Sequence, residues 1–115
     1  MLNWEDYGFK VEKVFASSDE AMDYIDSNEV DVVMTDILMP KITGIDIARH
    51  CFYNYPETMV IFLSAFSDFD YAIKGIQYKI FAYLTKPVNQ TVLVQTFTEL
   101  YKKLNTTRLK SAFSF

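Results

Sequence analysis

The run Val30-Asp31-Val32-Val33-Met34-Thr35-Asp36-Ile37-Leu38-Met39-Pro40 constrains this chain more than any other stretch. Val30–Thr35 is apolar almost throughout, as expected of a strand covered on both faces, which is the pattern of a parallel sheet flanked by helices. The run then delivers one carboxylate, Asp36, to a turn marked by Pro40 and by Thr43-Gly44. Two further short apolar runs end in Ser64 and in Lys86-Pro87. In a parallel α/β sheet the strand C-termini share one edge, where ligands bind. A carboxylate, a hydroxyl and an ammonium from three strands are therefore expected to meet there, a set suited to phosphate, with Asp36 as the nucleophile.

The rest of the chain alternates strand and helix, which favours an α/β fold with parallel strands. Phe9–Phe15 reads as a strand, and Ser17 with Glu20 makes a capping box before a short helix through about Asp26. Ile45, Ala48, Cys51, Phe52 and Tyr55 follow Gly44 at helical spacing until Pro56 stops that helix. Met59–Leu63 is the next buried strand. Ser67 caps a helix whose Phe69, Ala72, Ile73 and Ile76 form one stripe. Ile80–Leu84 gives the last strand, and Asn89 caps a helix with Leu93, Phe97, Leu100 and Leu104 on its inner face. Residues 106–115 have no clear period and read as a tail or the start of a linker.

Three stretches carry a family resemblance: Asp31-Val-Val-Met-Thr-Asp-Ile-Leu-Met-Pro40, Ile61-Phe-Leu-Ser-Ala-Phe-Ser-Asp-Phe-Asp-Tyr-Ala72 and Tyr83-Leu-Thr-Lys-Pro87. With them, from about Trp4 to Leu104, the chain resembles the receiver domain of bacterial two-component response regulators, in the version joined to AraC-type DNA-binding domains. The resemblance implies a flavodoxin-like, doubly wound parallel sheet over residues 1–105. It implies that Asp36 accepts a phosphoryl group from a sensor histidine kinase, with Ser64 and Lys86 contacting that group. Ser64 and Tyr83 correspond to the pair that reports phosphorylation, Asp36 and the Leu38 backbone carbonyl to Mg²⁺ ligands, and Pro87 to a cis-proline. The protein so implied is a stoichiometric phosphoacceptor that signals through its surface to a transcriptional output, with at most autophosphatase-like turnover, rather than an enzyme.

The chain departs from the family in two places. The family's opening strand, which ends in paired acidic residues, and most of its first helix have no counterpart here. In relatives that strand lies between those matching Phe9–Phe15 and Val30–Thr35, in the order 2-1-3-4-5. About five large apolar residues at ~1.5–3 kcal/mol each make such a strand worth on the order of 10 kcal/mol, comparable with a whole domain's ~5–15 kcal/mol. Self-association through the two exposed strands is therefore expected, together with weak Mg²⁺ binding. The competing reading is a degenerate or truncated receiver acting as a phosphorylation-independent interaction module. The second departure is Lys79, where relatives usually carry Gly after the corresponding helix. A left-handed Lys79 would cost roughly 1 kcal/mol or more.

Composition narrows the classes further. Half of the 115 residues are hydrophobic, which argues against disorder. A net charge of −4 with scattered Lys and Arg leaves no basic stripe for direct nucleic-acid binding. Cys51 alone cannot form an internal disulfide and fits a reducing, cytoplasmic setting. No apolar run reaches membrane-spanning length. The absence of a Gly-rich phosphate loop argues against a flavodoxin-like small-molecule enzyme. His50 and Cys51 are helix neighbours pointing about 100° apart and make no metal pair.

Overall fold

A computed structural model describes residues 9–14, 18–37, 41–65, 69–104 and 110–114. Its elements are β1 (Phe9–Val14), α1 (Ser18–Ser27), β2 (Val32–Asp36), α2 (Gly44–Asn54), β3 (Met59–Ser64), α3 (Phe69–Ile76), β4 (Ala82–Thr85), α4 (Gln90–Leu104) and β5 (Lys110–Ser114). All strand pairs are parallel, in the order β1-β5-β2-β3-β4. The expected residues Ser17, Leu38 and Ser67 lie outside the described residues, as do 106–109 of the tail.

Strand β2 has the two-faced burial that its composition requires. Val33 packs with Ala21, Ile25, Ile47, Ala48, Cys51 and Phe62 on the α1–α2 face. Val32 and Met34 pack with Ile61, Leu84, Phe97 and Leu100 under α4. Alternate residues of a strand point to opposite faces, so one short segment nucleates both cores. Asn89 Oδ1 accepts from the Thr91 and Val92 amides and starts α4 as expected. The inward pair on α4 is Phe97 and Leu100, with Leu93 and Leu104 packed at its margins. Cys51 is fully buried, and that burial pushes its thiol up to about 12, so it behaves as a small core hydrophobe.

The structure corrects the sequence reading in three places. Residues 110–114, read as part of a tail, form β5 and fill the slot between β1 and β2. Val32, Val33 and Met34 pair with Ala112, Phe113 and Ser114, while Phe9–Val14 pair along the other side. One chain thus satisfies the backbone groups whose exposure suggested self-association, and a second copy is not needed to cover them. The sheet keeps the order expected of the family, with the C-terminal segment in the position of the opening strand.

The second correction concerns α3. Of its expected stripe Phe69, Ala72, Ile73 and Ile76, the two isoleucines are 50% and 64% exposed, and among the α3 residues whose burial is described the buried one is Gly75. A side chain on Gly75 would place its Cβ 2.2 Å from the ring of the fully buried Phe62. The missing side chain lets the helix lie close to the sheet, and that contact sets which way α3 faces. On α2, Ile47 is fully buried and was absent from the expected face, because that face is centred one residue away.

Candidate functional site

Asp36 ends β2, Ser64 ends β3, and Lys86 directly follows β4, so the parallel register brings all three to one sheet edge. Asp36 pairs with Leu63, and Ser64 with Thr85. The Lys86 amide donates to the Ser64 carbonyl (2.7 Å), extending the β3–β4 ladder by one bond. The Lys86 ammonium forms an ion pair with Asp36 Oδ1. That oxygen is buried and receives no hydrogen bond among the described residues, so Lys86 provides charge compensation without a well-aligned donor. The Lys86–Pro87 peptide is cis.

Ser64 is 1% exposed, and its hydroxyl donates to the Ala65 carbonyl at 2.8 Å. The Tyr83 hydroxyl donates to Ser64 Oγ at 3.3 Å from the neighbouring strand. Ser64 thus connects the site edge to an aromatic side chain on β4. Tyr83 also packs against the α1–α2 core, so it has a packing role alongside that contact.

The turn residues Thr43 and Gly44, together with Asp46 and the Thr35 hydroxyl, which the sequence does not single out, hold the Asp36 segment in place. Thr43 caps α2: its hydroxyl accepts from the Asp46 amide (3.2 Å), and its own amide donates to Asp46 Oδ2 (2.9 Å). The pattern Thr-x-x-Asp was the available signal for this reciprocal cap. The Gly44 amide donates to the Ile37 carbonyl at 2.7 Å. A Cβ on Gly44 would fall 2.3 Å from the Asp36 carbonyl oxygen, so only glycine allows this approach. Thr35, which had been read simply as part of an apolar strand, is fully buried and donates from its hydroxyl to that same carbonyl at 2.9 Å.

Asp36 is the carboxylate that the described residues place at this edge, and among them no group of three or more His, Cys, Asp or Glu could hold a metal. Mg²⁺ takes oxygen ligands and commonly uses one or two carboxylates, completing its shell with phosphate oxygens and water. Asp36 Oδ1 is buried and faces the Lys86 ammonium, so a cation here would share this carboxylate with Lys86, and one carboxylate meets the lower limit of that requirement.

Away from this edge, Asp26 Oδ1 accepts from the Tyr55 hydroxyl (2.7 Å) and lies 2.6 Å from His50 Nε2. These hydrogen bonds, His50's first and Tyr55's second, hold the Asp26 carboxyl below its ordinary range. The bond to Asp26 raises the Tyr55 hydroxyl in turn. A cleft of about 460 Å³ lies nearby, between the segments that precede β2 and β3, at the edge opposite Asp36. Among the described residues no helix is long and apolar enough to cross a membrane.

The sequence profile of the response regulator receiver domain matches residues 1–98. An uncharacterized response regulatory protein of Staphylococcus epidermidis is 34% identical over 104 residues, 90% of this chain and 41% of that protein. The transcriptional regulatory protein HptR of Staphylococcus aureus is 33% identical over 93 residues, 81% of this chain and 36% of its own length. The chain therefore spans about two fifths of the curated relatives it matches. A receiver domain protein from Clostridium thermocellum superposes with a TM-score of 0.77 at 34% identity, covering 86% of this chain and 79% of the other. The receiver domain of AraT from Geobacillus stearothermophilus gives 0.84 at 23% identity over 90% and 80%, a likeness of fold.

Proposed function

We propose that this chain, which belongs to the response regulator receiver domain family, accepts a phosphoryl group on Asp36 from a sensor histidine kinase and passes the signal to a transcriptional output. The observation that carries this reading is the Asp36–Lys86 ion pair at the C-terminal sheet edge, next to the buried Ser64 hydroxyl. In the transfer a carboxylate oxygen of Asp36 attacks phosphorus. An acyl–phosphate P–O bond forms as the P–N bond to the kinase histidine breaks, and the imidazole leaves carrying that electron pair. The approach of two anions is unfavourable, and the Lys86 ammonium offsets part of that repulsion as a point charge.

Asp36, and by the family resemblance the Leu38 main-chain carbonyl, would hold Mg²⁺, which when bound supplies further charge neutralisation to the phosphoryl oxygens. After transfer, the Ser64 hydroxyl turns from the Ala65 carbonyl to a phosphoryl oxygen. That turn alters its contact with Tyr83, which carries the change toward the surface. The chain acts stoichiometrically, with turnover limited to hydrolysis of its own acyl phosphate. The response regulatory and transcriptional regulatory relatives support an output in transcription.

One observation favours the second reading, a phosphorylation-independent interaction module: among the described residues no group of three or more His, Cys, Asp or Glu is gathered that could hold a metal. Beryllofluoride with Mg²⁺ separates the two readings. Under the phosphoacceptor reading, saturable amide shifts appear around Asp36, Ser64 and Lys86 in wild type and disappear in Asp36→Asn. An unchanged spectrum for wild type favours the interaction module.

A further inference from the structure

Thr35 is fully buried on β2, where its neighbours Val32, Val33 and Met34 are apolar. Packing alone does not require a hydroxyl here, since Val has the same branched shape and fits a strand equally well. A buried hydroxyl costs free energy unless it is bonded, and this one donates to the Asp36 carbonyl oxygen at 2.9 Å. From the other side, the first residue of α2 presses on the same oxygen, with Gly44 leaving no room for a methyl group. The Gly44 amide also ties the next carbonyl, that of Ile37, at 2.7 Å. Pairing between β5 and β2 reaches only as far as Met34, so at Thr35 and Asp36 the described ladder continues on the β3 side alone.

We infer that Thr35 is a positioning residue for Asp36: its hydroxyl, working against the Gly44 contact, fixes the peptide plane at the end of β2 and so aims the Asp36 carboxylate at Lys86. This deepens the phosphoacceptor reading and rests on it for its function, but the geometry itself can be tested without any phosphoryl transfer. Without the bond, the Asp36 peptide plane loses one of the contacts that hold it and can tilt away from the Gly44 contact. The carboxylate then turns with its main chain and loosens from the ammonium. Serine retains the hydroxyl and should retain the alignment, whereas valine retains the shape and loses it.

The test reads the reactivity of the Lys86 amine toward a limiting acylating reagent in the full chain, quantified by peptide mass spectrometry. The exposed Lys102 and Lys103 serve as internal references. Asp36→Asn sets the level for a released Lys86. Thr35→Val should raise Lys86 labelling severalfold toward that level, and Thr35→Ser should stay near wild type, with the references unchanged in both. Wild-type labelling in Thr35→Val, equal rises in the Val and Ser variants, or no rise in Asp36→Asn would each overturn the inference. A parallel rate measurement with acetyl phosphate reports on the phosphoacceptor reading separately. If Thr35→Val loosens Lys86 while no protein is phosphorylated, the positioning role stands and the phosphoacceptor reading fails.

Discussion

Replacing Gly44 with alanine adds one methyl group at the tightest point of the candidate site. Its Cβ would lie 2.3 Å from the Asp36 carbonyl oxygen and 2.9 Å from the Ile37 Cα, both backbone atoms that no rotamer change can move aside. Comfortable carbon contacts lie at ~3.5–4.0 Å, so roughly 1 Å must open between α2 and the end of β2. Overpacking of this kind costs ~1–3 kcal/mol. Separation also weakens the Gly44–Ile37 hydrogen bond, a loss of about 1 kcal/mol. The better helix propensity of alanine returns at most ~1 kcal/mol. The net expectation is a loss of about 2 kcal/mol, which leaves a domain of ~5–15 kcal/mol folded. A shift of that size at a reacting group can cost on the order of 10²-fold in rate. Urea unfolding followed by circular dichroism gives the stability, and acetyl phosphate labelling gives the rate. Stability within ~0.5 kcal/mol of wild type, the range of an ordinary surface change, would refute the steric argument.

Three other perturbations test separate parts of the structure. Lys79 has φ of 55°; Lys79→Gly relieves ~1–2 kcal/mol of left-handed strain against ~0.4–1 kcal/mol of added unfolded-state entropy, so chemical denaturation should show a small gain rather than a loss. Lys86→Met should cost less than ~1 kcal/mol in the same assay, because Lys86 is half exposed and lies outside the core. Asp26 titrates below its ordinary value when folded. Its stabilisation is therefore complete above the unfolded value of ~3.9 and is lost as pH falls through the lower folded value. The carboxylate is 43% exposed, so the effect stays within the ~0–1 kcal/mol of solvent-exposed pairs. A set of melting temperatures should show Asp26→Asn closing on wild type as pH falls below 4, and a constant gap would contradict the linkage.

Much of the architecture was legible in particular residues. Val32, Val33 and Met34 announced a strand buried on both faces, and the parallel-sheet rule then placed Asp36 and Lys86 at one edge, where they form an ion pair. Segment 110–114 was not legible, because Lys110-Ser-Ala-Phe-Ser114 carries too short an apolar run to signal a central strand; its place comes from tertiary pairing. On α3 periodicity counts Ile73 and Ile76, which are exposed, whereas the close approach to Phe62 is made by the absence of a side chain at Gly75, which periodicity does not register. Thr35 was hidden by its company: in an apolar run its methyl group explains its presence, and only the folded chain shows where the hydroxyl goes.

Asp36 as phosphoacceptor is tested most directly by locating the phosphoryl group itself. The chain is incubated with acetyl phosphate and Mg²⁺, the acyl phosphate is reduced with borohydride to mark the modified carboxylate, and the peptides are sequenced by mass spectrometry. A single mark on Asp36 is expected, accumulating slowly because the described residues gather no cluster of metal-holding carboxylates, and no mark anywhere in Asp36→Asn. Marks of equal yield on other carboxylates, or undiminished labelling of Asp36→Asn, would contradict it.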